Sequence, residues 1–506
     1  MDRGTPQAAS SPTGDLGTQP DAGPQPCPGT QKTPRPILKL GNAFVRTTRH
    51  FWPELNDWLD QLPDGRFQPF VTYDKRFLVW WGLSLFTFQL GARRQLDFEL
   101  DCRDTEVLPN LNRLAQTEQE TRPVHKTLHH FLKLSGIHPA TPYARLRRRM
   151  LQRLIRSKAL DAARLQGRFV VGCDATGQLT FTEKHCEHCL VQRHATHTTY
   201  MHHVLEAKLL GPANMALSMG TEFIENRDDD PALGATLDAE PRKQDCELKA
   251  LSRLVPNLRK DFPQLRLCLS GDSLYACGRT LQLAKDYHCN YVLVFKEGRM
   301  SAVWQEFQTL LAECPQNRLE HYPEGPHGGV HQLYRWVHDL SYQDDEGRTW
   351  TFHAIICEET VEKTEAGQII TQTTTFAWIT DLHVSKKTVV EVATKGGRHR
   401  WHVENQGFNR QKNSGLNLEH AYCKNAELLK AYYYLMQIAH MILQVFEAGS
   451  LLRRVAAECD RTPWQLFGGL ANLARRLLES FRYRRLSQDA FDPDPNERMQ
   501  YRFDTS

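Results

Sequence analysis

The chain has 506 residues, with 63 Lys and Arg against 59 Asp and Glu and a net charge of +4. At 40% hydrophobic and 24% charged residues it has the composition of a soluble globular protein, too long for one compact core, so two to four units are expected. Thirteen cysteines without framework spacing exclude a disulfide scaffold and, with no charged-then-apolar leader, point to a reducing cytoplasmic setting.

Residues 1–35 lack aromatics, Ile and Val, are rich in Pro, Gly, Ser, Thr and Gln, and read as a disordered tail. Residues 36–165 have helical patterning. "FLVWWGLSLFTFQL" (Phe77–Leu90) is too short to span a bilayer and predicts a buried core helix. "RPVHKTLHHFLKLSG" carries Val124, Leu128, Phe131 and Leu132 near helical spacing and stops at Gly136. Arg145, Arg147, Arg148, Arg149, Arg153 and Arg156 follow, a cluster that could track a phosphate backbone or simply line a solvated helix face. A DNA-binding helical domain and a plain helical bundle both fit this stretch.

The texture changes over 166–299. "RFVVGCD" is an apolar run closed by Asp174, and "QLTF" follows a turn at Thr176-Gly177. "YMHHVLEAKLL" and "NMALSM" read as two more strands. "KQDCELKALSRLV" predicts a helix, "LRLCLSGD" a strand ending at Asp272, "LYACGRTLQLAKDY" a helix and "YVLVFK" a strand. Three neighbouring strands followed by helix–strand–helix–strand predict an α/β fold with mixed pairing.

Residues 300–392 carry three strand-like runs, "VHQLYRWVHDL", "TWTFHAIICEE" and "TTTFAWITDL", and read as a β-rich insertion. Residues 393–450 return to helix. Residues 451–506 form a last helical unit and tail, opening with an N-cap at Thr462, Pro463 at N1 and Gln465 at N3 and ending its basic helix near Leu486.

"RWHVENQGFNRQKN" (Arg400–Asn413) holds one acid, Glu404, among Arg400, His402, Arg410 and Lys412. With α-helical geometry Glu404 lies roughly 40–60° from Trp401 and Phe408, a stripe expected to face inward. A carboxylate beside such a stripe needs a cationic partner. An Arg400–Glu404 pair at i, i+4 is one answer. A metal ion is the other. Asp174 and Asp272, each closing an apolar strand, would project into the same crevice. Three acids that close repel unless a cation neutralises them, and oxygen-only ligation favours Mg²⁺ or Mn²⁺. Two such ions about 4 Å apart serve phosphoryl transfer.

Asp on the first strand, Asp after the fourth, a β-rich insertion and Glu on a helix resemble the DDE transposases of bacterial insertion sequences, with a ribonuclease H-like core. "TTTFAWITDL", "RWHVENQGFNRQKN" and "NLEHAYCKN" most resemble the insertion-sequence-four-type proteins. Their third-acid signature is Tyr, two residues, Arg, three residues, Glu, six residues, Lys. Arg400 and Glu404 fit, Gly397 stands at the tyrosine position, and Gln411 at the lysine position with Lys412 next. The resemblance covers roughly 165–450. It implies an α/β fold, a ribonuclease H-like mixed sheet with flanking helices interrupted by the β-rich insertion, with helical N- and C-terminal units. It also implies a Mg²⁺- or Mn²⁺-dependent enzyme, homodimeric in its active complex and associated with the nucleoid. That enzyme binds the terminal inverted repeats of its element on double-stranded DNA, hydrolyses phosphodiesters there and joins each 3′-OH to target DNA. Asp174, Asp272 and Glu404 would be catalytic, Arg400, Arg410 and Lys412 would hold phosphates, and Trp304 would stack on an extruded base. A cutting-only nuclease or resolvase, and a DNA-binding protein with unused carboxylates, are the rival functions.

"EKHCEHCLVQRHATHTTYMHH" stands apart from this scheme. Cys186 and Cys189 have Cys-x-x-Cys spacing, with His185, His188, His194, His197, His202 and His203 nearby, and form a candidate structural Zn²⁺ site. Incidental reduced thiols are the alternative.

Overall fold

The computed structural model describes residues 35–101, 103, 105–226, 244–325, 329–365, 368–492 and 502–503. Apart from Arg35, which opens the first helix, the tail expected over 1–35 lies outside the described residues. Seven helices come first: α1 (Arg35–Phe51), α2 (Leu55–Asp60), α3 (Lys75–Thr87), α4 (Gln95–Glu99), α5 (Val107–Ala115), α6 (His125–Lys133) and α7 (Thr141–Arg156). The apolar run forms α3, buried at every position from Phe77 to Thr87 and capped by Asp74, whose carboxylate accepts the Arg76 N–H. The arginine cluster lies on α7, and much of it is spent internally. Arg147 is buried and donates to Ser218, Thr221 and the Met219 carbonyl. Arg148 pairs with Asp261, and Arg153 lies 3.6 Å from Glu54.

The strands are β1 (Phe169–Phe181), β2 (Leu190–Arg193), β3 (Thr198–Leu210), β4 (Ala216–Ile224), β5 (Leu267–Gly271), β6 (Asn290–Val294), β7 (Arg318–His321), β8 (Val330–Gln343), β9 (Thr349–Glu365) and β10 (Gln368–Thr380). Helices α8 (Glu247–Asp261) and α9 (Gly278–Asp286) connect β4 to β5 and β5 to β6, and α10 (Ser301–Glu313) follows β6. All ten strands share one sheet, ordered β2-β3-β1-β5-β6-β10-β9-β8-β7, with β4 on β3. The β1–β5 and β5–β6 pairs are parallel and the rest antiparallel. The fold is therefore mixed α/β. The strands of 300–392 continue this sheet, because β10 pairs with β6 from Trp378↔Val294 to Thr380↔Val292.

Two local expectations are corrected. The turn at Thr176-Gly177 is a bulge: β1 runs through it, with the β3 register shifting between Gly177 and Leu179. Asp174 thus sits inside β1, not at its end. The last basic helix is also broken. α15 (Pro463–Phe467) carries the full Thr462/Gln465 capping box and ends at Gly468, in the left-handed region at φ 69°, before α16 (Leu470–Tyr483).

After β10, α11 (Val389–Glu391) leads into an irregular rod. It has π-helical turns at Val392–Gly397 and Val403–Asn409, a 3₁₀ turn at Arg398–Arg400, and ends as α12 (Arg410–Asn413). Then come α13 (Ala426–Ala448), α14 (Ser450–Ala457), α15, α16 and α17 (Gln488–Phe491). α13 is buried around nearly its whole circumference. α3, α6 and α7 pack on it, and α1 packs on α13, α14, α16 and α17. The N- and C-terminal helices therefore share one core.

Candidate functional site

Parallel pairing sets the first two acids side by side. Val170 lies opposite Cys268 and Gly172 opposite Ser270. Continued by two residues, that register brings Asp174 to Asp272, on one face because strand side chains alternate. Asp272 follows β5 directly, and its carboxylate accepts the Leu274 N–H at 2.8 Å. The irregular rod lies across these strands at close range. A Cβ on Gly172 would stand 2.3 Å from Val403 Cγ2, and one on Gly407 2.7 Å from Lys208 Cε. Glycine at both positions lets the rod sit directly on β1 and β3.

Asp174, Asp272, Glu404, Arg400 and Lys412 line one open cleft of about 520 Å³, together with Asn405, Asn409 and Asn413. Arg400 Nη1 donates to Asp174 Oδ2 at 3.4 Å, so Arg400 pairs with Asp174 and not with Glu404, the first of the two partners weighed for that acid. Glu404 is solvent-exposed, as is Trp401 at 51%, while Phe408 is buried. The inward stripe is thus half right. Its failure at Trp401 has a physical cause: the π turn and the 3₁₀ turn break the 3.6-residue period on which the stripe rested.

Burial pushes the Asp174 carboxyl up to about 6. Arg400 and the Ala175 N–H work against the rise, while the negative charges of Asp272 and Glu247 add to it. Glu247, at the start of α8, was not singled out in the sequence. Burial raises its own carboxyl, the Tyr275 hydroxyl donates to it at 3.2 Å, and Asp272 pushes it further up. No periodicity marks it; only the packing of α8 on β3, β4 and α9 brings it near the two aspartates.

The remaining expected residues fall elsewhere. Arg410 is held by Glu447 at 2.6 Å and faces a different hollow. Lys412 lines the acid cleft and reaches Glu419 at 2.7 Å. Trp304 lies half-buried on α10, edge-on to Phe295 at 4.9 Å, outside the cleft lining.

Among the described residues, one group of three or more His, Cys, Asp or Glu has ligand atoms within 4.8 Å of one another: His185, Cys186, Cys189 and His202. Four histidines named beside the thiols, His188, His194, His197 and His203, lie outside this group. The acid trio is therefore looser than a one-ion cage.

No helix among the described residues is long and apolar enough to cross a membrane. No known protein family matches the chain, and no curated protein is significantly similar to it.

Proposed function

We propose that the cleft carries out metal-dependent phosphoryl transfer on DNA, as a transposase cutting the ends of its element and joining them to a target. The observation that carries this reading is the convergence of Asp174, Asp272 and Glu404, from two adjacent parallel strands and a helix 132 residues beyond Asp272, on one cleft with Arg400 and Lys412. With short β2 set aside, the order β4-β3-β1-β5-β6, with Asp on the first strand and after the fourth, supports the ribonuclease H-like core and leaves β7–β10 as the insertion.

The departures from the third-acid signature have local explanations. Six intervening residues place the signature lysine at +7 from Glu, on the same face of an α-helix. The π turn at Val403–Asn409 adds about one residue to that stretch. Lys412, at +8, then faces the cleft, while Gln411 is buried and donates to Gln437 at 2.9 Å. A tyrosine at 397 has no room: a Cβ there would stand 2.4 Å from Trp378 Nε1.

The donor set is all oxygen, which fits a hard divalent cation, while burial first, with Asp272 and Glu247 adding to it, raises the Asp174 carboxyl. Mg²⁺ or Mn²⁺ held there would supply an activated nucleophile and stabilise the leaving oxygen. Arg400 pairs with Asp174. Its planar fork suits a phosphate once Asp174 has another partner. Lys412 offers a point charge to the same strand. Double-stranded DNA is the partner, and a homodimer would hold two ends together. The test is a labelled duplex carrying the DNA that flanks the gene, incubated with a supercoiled target and Mg²⁺ or Mn²⁺. Joined product supports the transposase. Cut but unjoined ends favour a nuclease or resolvase.

A further inference from the structure

The group on the β1–β2 connection is unlike the acid cleft in chemistry. Cys186 Sγ and Cys189 Sγ are 3.5 Å apart, and each lies 3.4 Å from His202 Nε2. A ring nitrogen of His185 completes a set lying within 4.8 Å. A tetrahedral ion with Zn–S bonds of about 2.3 Å and Zn–N bonds of about 2.0 Å has ligand–ligand edges of roughly 3.3–3.8 Å. The three separations fall in that interval. A disulfide needs an S–S distance of about 2.05 Å, and the eleven described cysteines are all free. Nδ1 of His185 is buried with no hydrogen-bond partner, which a buried polar atom ordinarily has.

We propose that His185, Cys186, Cys189 and His202 bind one structural zinc ion that fixes the pairing of β1 with β3 beyond the bulge. Soft thiolate and imidazole donors in a closed set of four select zinc over magnesium, and four protein ligands leave no open position for catalysis. The cysteines bind as thiolates, so loading releases their protons. The surroundings are built to hold the knuckle. His185 stacks on Phe181 at 4.4 Å between centroids. His188 Nδ1–H donates to the Asn226 carbonyl at 2.8 Å, and Asn226 Nδ2 donates to the Cys189 carbonyl at 2.9 Å. His202 stands opposite Leu179, the first pair after the register shift. A one-residue slip there would turn every later side chain to the other face. An ion tying His202 to the end of β1 forbids that slip, on the strand that carries Asp174.

The experiment is zinc analysis of the full chain purified without chelator, with X-ray absorption at the zinc edge. Expected are about one zinc per chain and a shell of two sulfurs near ~2.3 Å and two nitrogens near ~2.0 Å. His194→Ala, an exposed histidine outside the set, should keep its zinc, and Cys186→Ser should lose most of it. Removal of zinc should expose the 182–197 connection to protease. A wild-type chain that takes up no zinc even after dialysis against zinc sulfate overturns the proposal. So does a zinc shell without sulfur, or thiol titration showing Cys186 joined to Cys189. None of these readouts depends on DNA cleavage, so the zinc and the acid cleft stand or fall separately.

Discussion

Arg400 Nη1 and Asp174 Oδ2 lie 3.4 Å apart, joining the irregular rod to β1. The guanidinium is the strongest influence opposing the rise of the Asp174 carboxyl. Replacing Arg400 with Gln should push that carboxyl higher still, and the acid limb of a cleavage pH profile should move to higher pH. Arg400→Lys keeps the charge and should leave the limb nearly in place, while slowing cutting because the planar fork is lost. A limb that does not move in Arg400→Gln would show that Asp174 does not limit the reaction.

Glu247 acts in the other direction. Its negative charge adds to the rise at Asp174, so Glu247→Gln should shift the same limb to lower pH. An unchanged profile would remove Glu247 from the site's electrostatics.

Asp174 also couples function to stability. A carboxyl at about 6 when folded and ~3.9 when unfolded is protonated more readily in the native state. Between those values the folded chain holds the extra proton, so stability falls as pH rises from about 4 to about 6 and stays lower above it. Asp174→Asn removes the buried charge. It should stabilise the protein by on the order of 1–3 kcal/mol at pH 8, have little effect at pH 4, and abolish cleavage. Melting curves at the two pH values check this; equal shifts at both would mean that packing, not ionisation, separates the variants.

Beneath the rod, Glu206 and Lys208 form a fully buried pair, Nζ to Oε2 3.4 Å, with the Glu206 carboxylate also accepting from the Tyr433 and Thr221 hydroxyls. Lys208→Ala strands the carboxylate and should cost about 3–5 kcal/mol in denaturant unfolding. The double variant Lys208→Met with Glu206→Gln should recover most of that loss. A single variant as stable as wild type would mean that Glu206 is already neutral.

What was legible in the sequence is what local chemistry decides. The apolar run of α3, the Thr462 capping box, the strand runs and Asp272 after β5 follow from periodicity, capping and turn residues. What was not legible depends on partners far along the chain. The bulge at Gly177 reads as a turn until β3 pairs across it. His202 is one of several nearby histidines until that pairing carries it to Cys186 and Cys189. Glu247 has no local mark at all. The arginines of α7 fit a phosphate track or a solvated face, but Ser218 and Thr221 engage Arg147, and Asp261 engages Arg148, inside the fold. The Glu404 segment turns Trp401 outward because π turns change the helical period, and nothing in the residues announces them.

The central claim is that Asp174, Asp272 and Glu404 work as one divalent-metal site for cutting DNA. The most direct measurement compares wild type and Glu404→Gln on a labelled duplex of the gene's flanking DNA, with and without Mg²⁺ or Mn²⁺, alongside a binding assay on the same duplex. Glu404 is exposed, so the substitution should leave folding and DNA binding intact. The account predicts metal-dependent cleavage by wild type and almost none by Glu404→Gln at equal binding. Cleavage by Glu404→Gln at near the wild-type rate, or cleavage by wild type that needs no added metal, would contradict it.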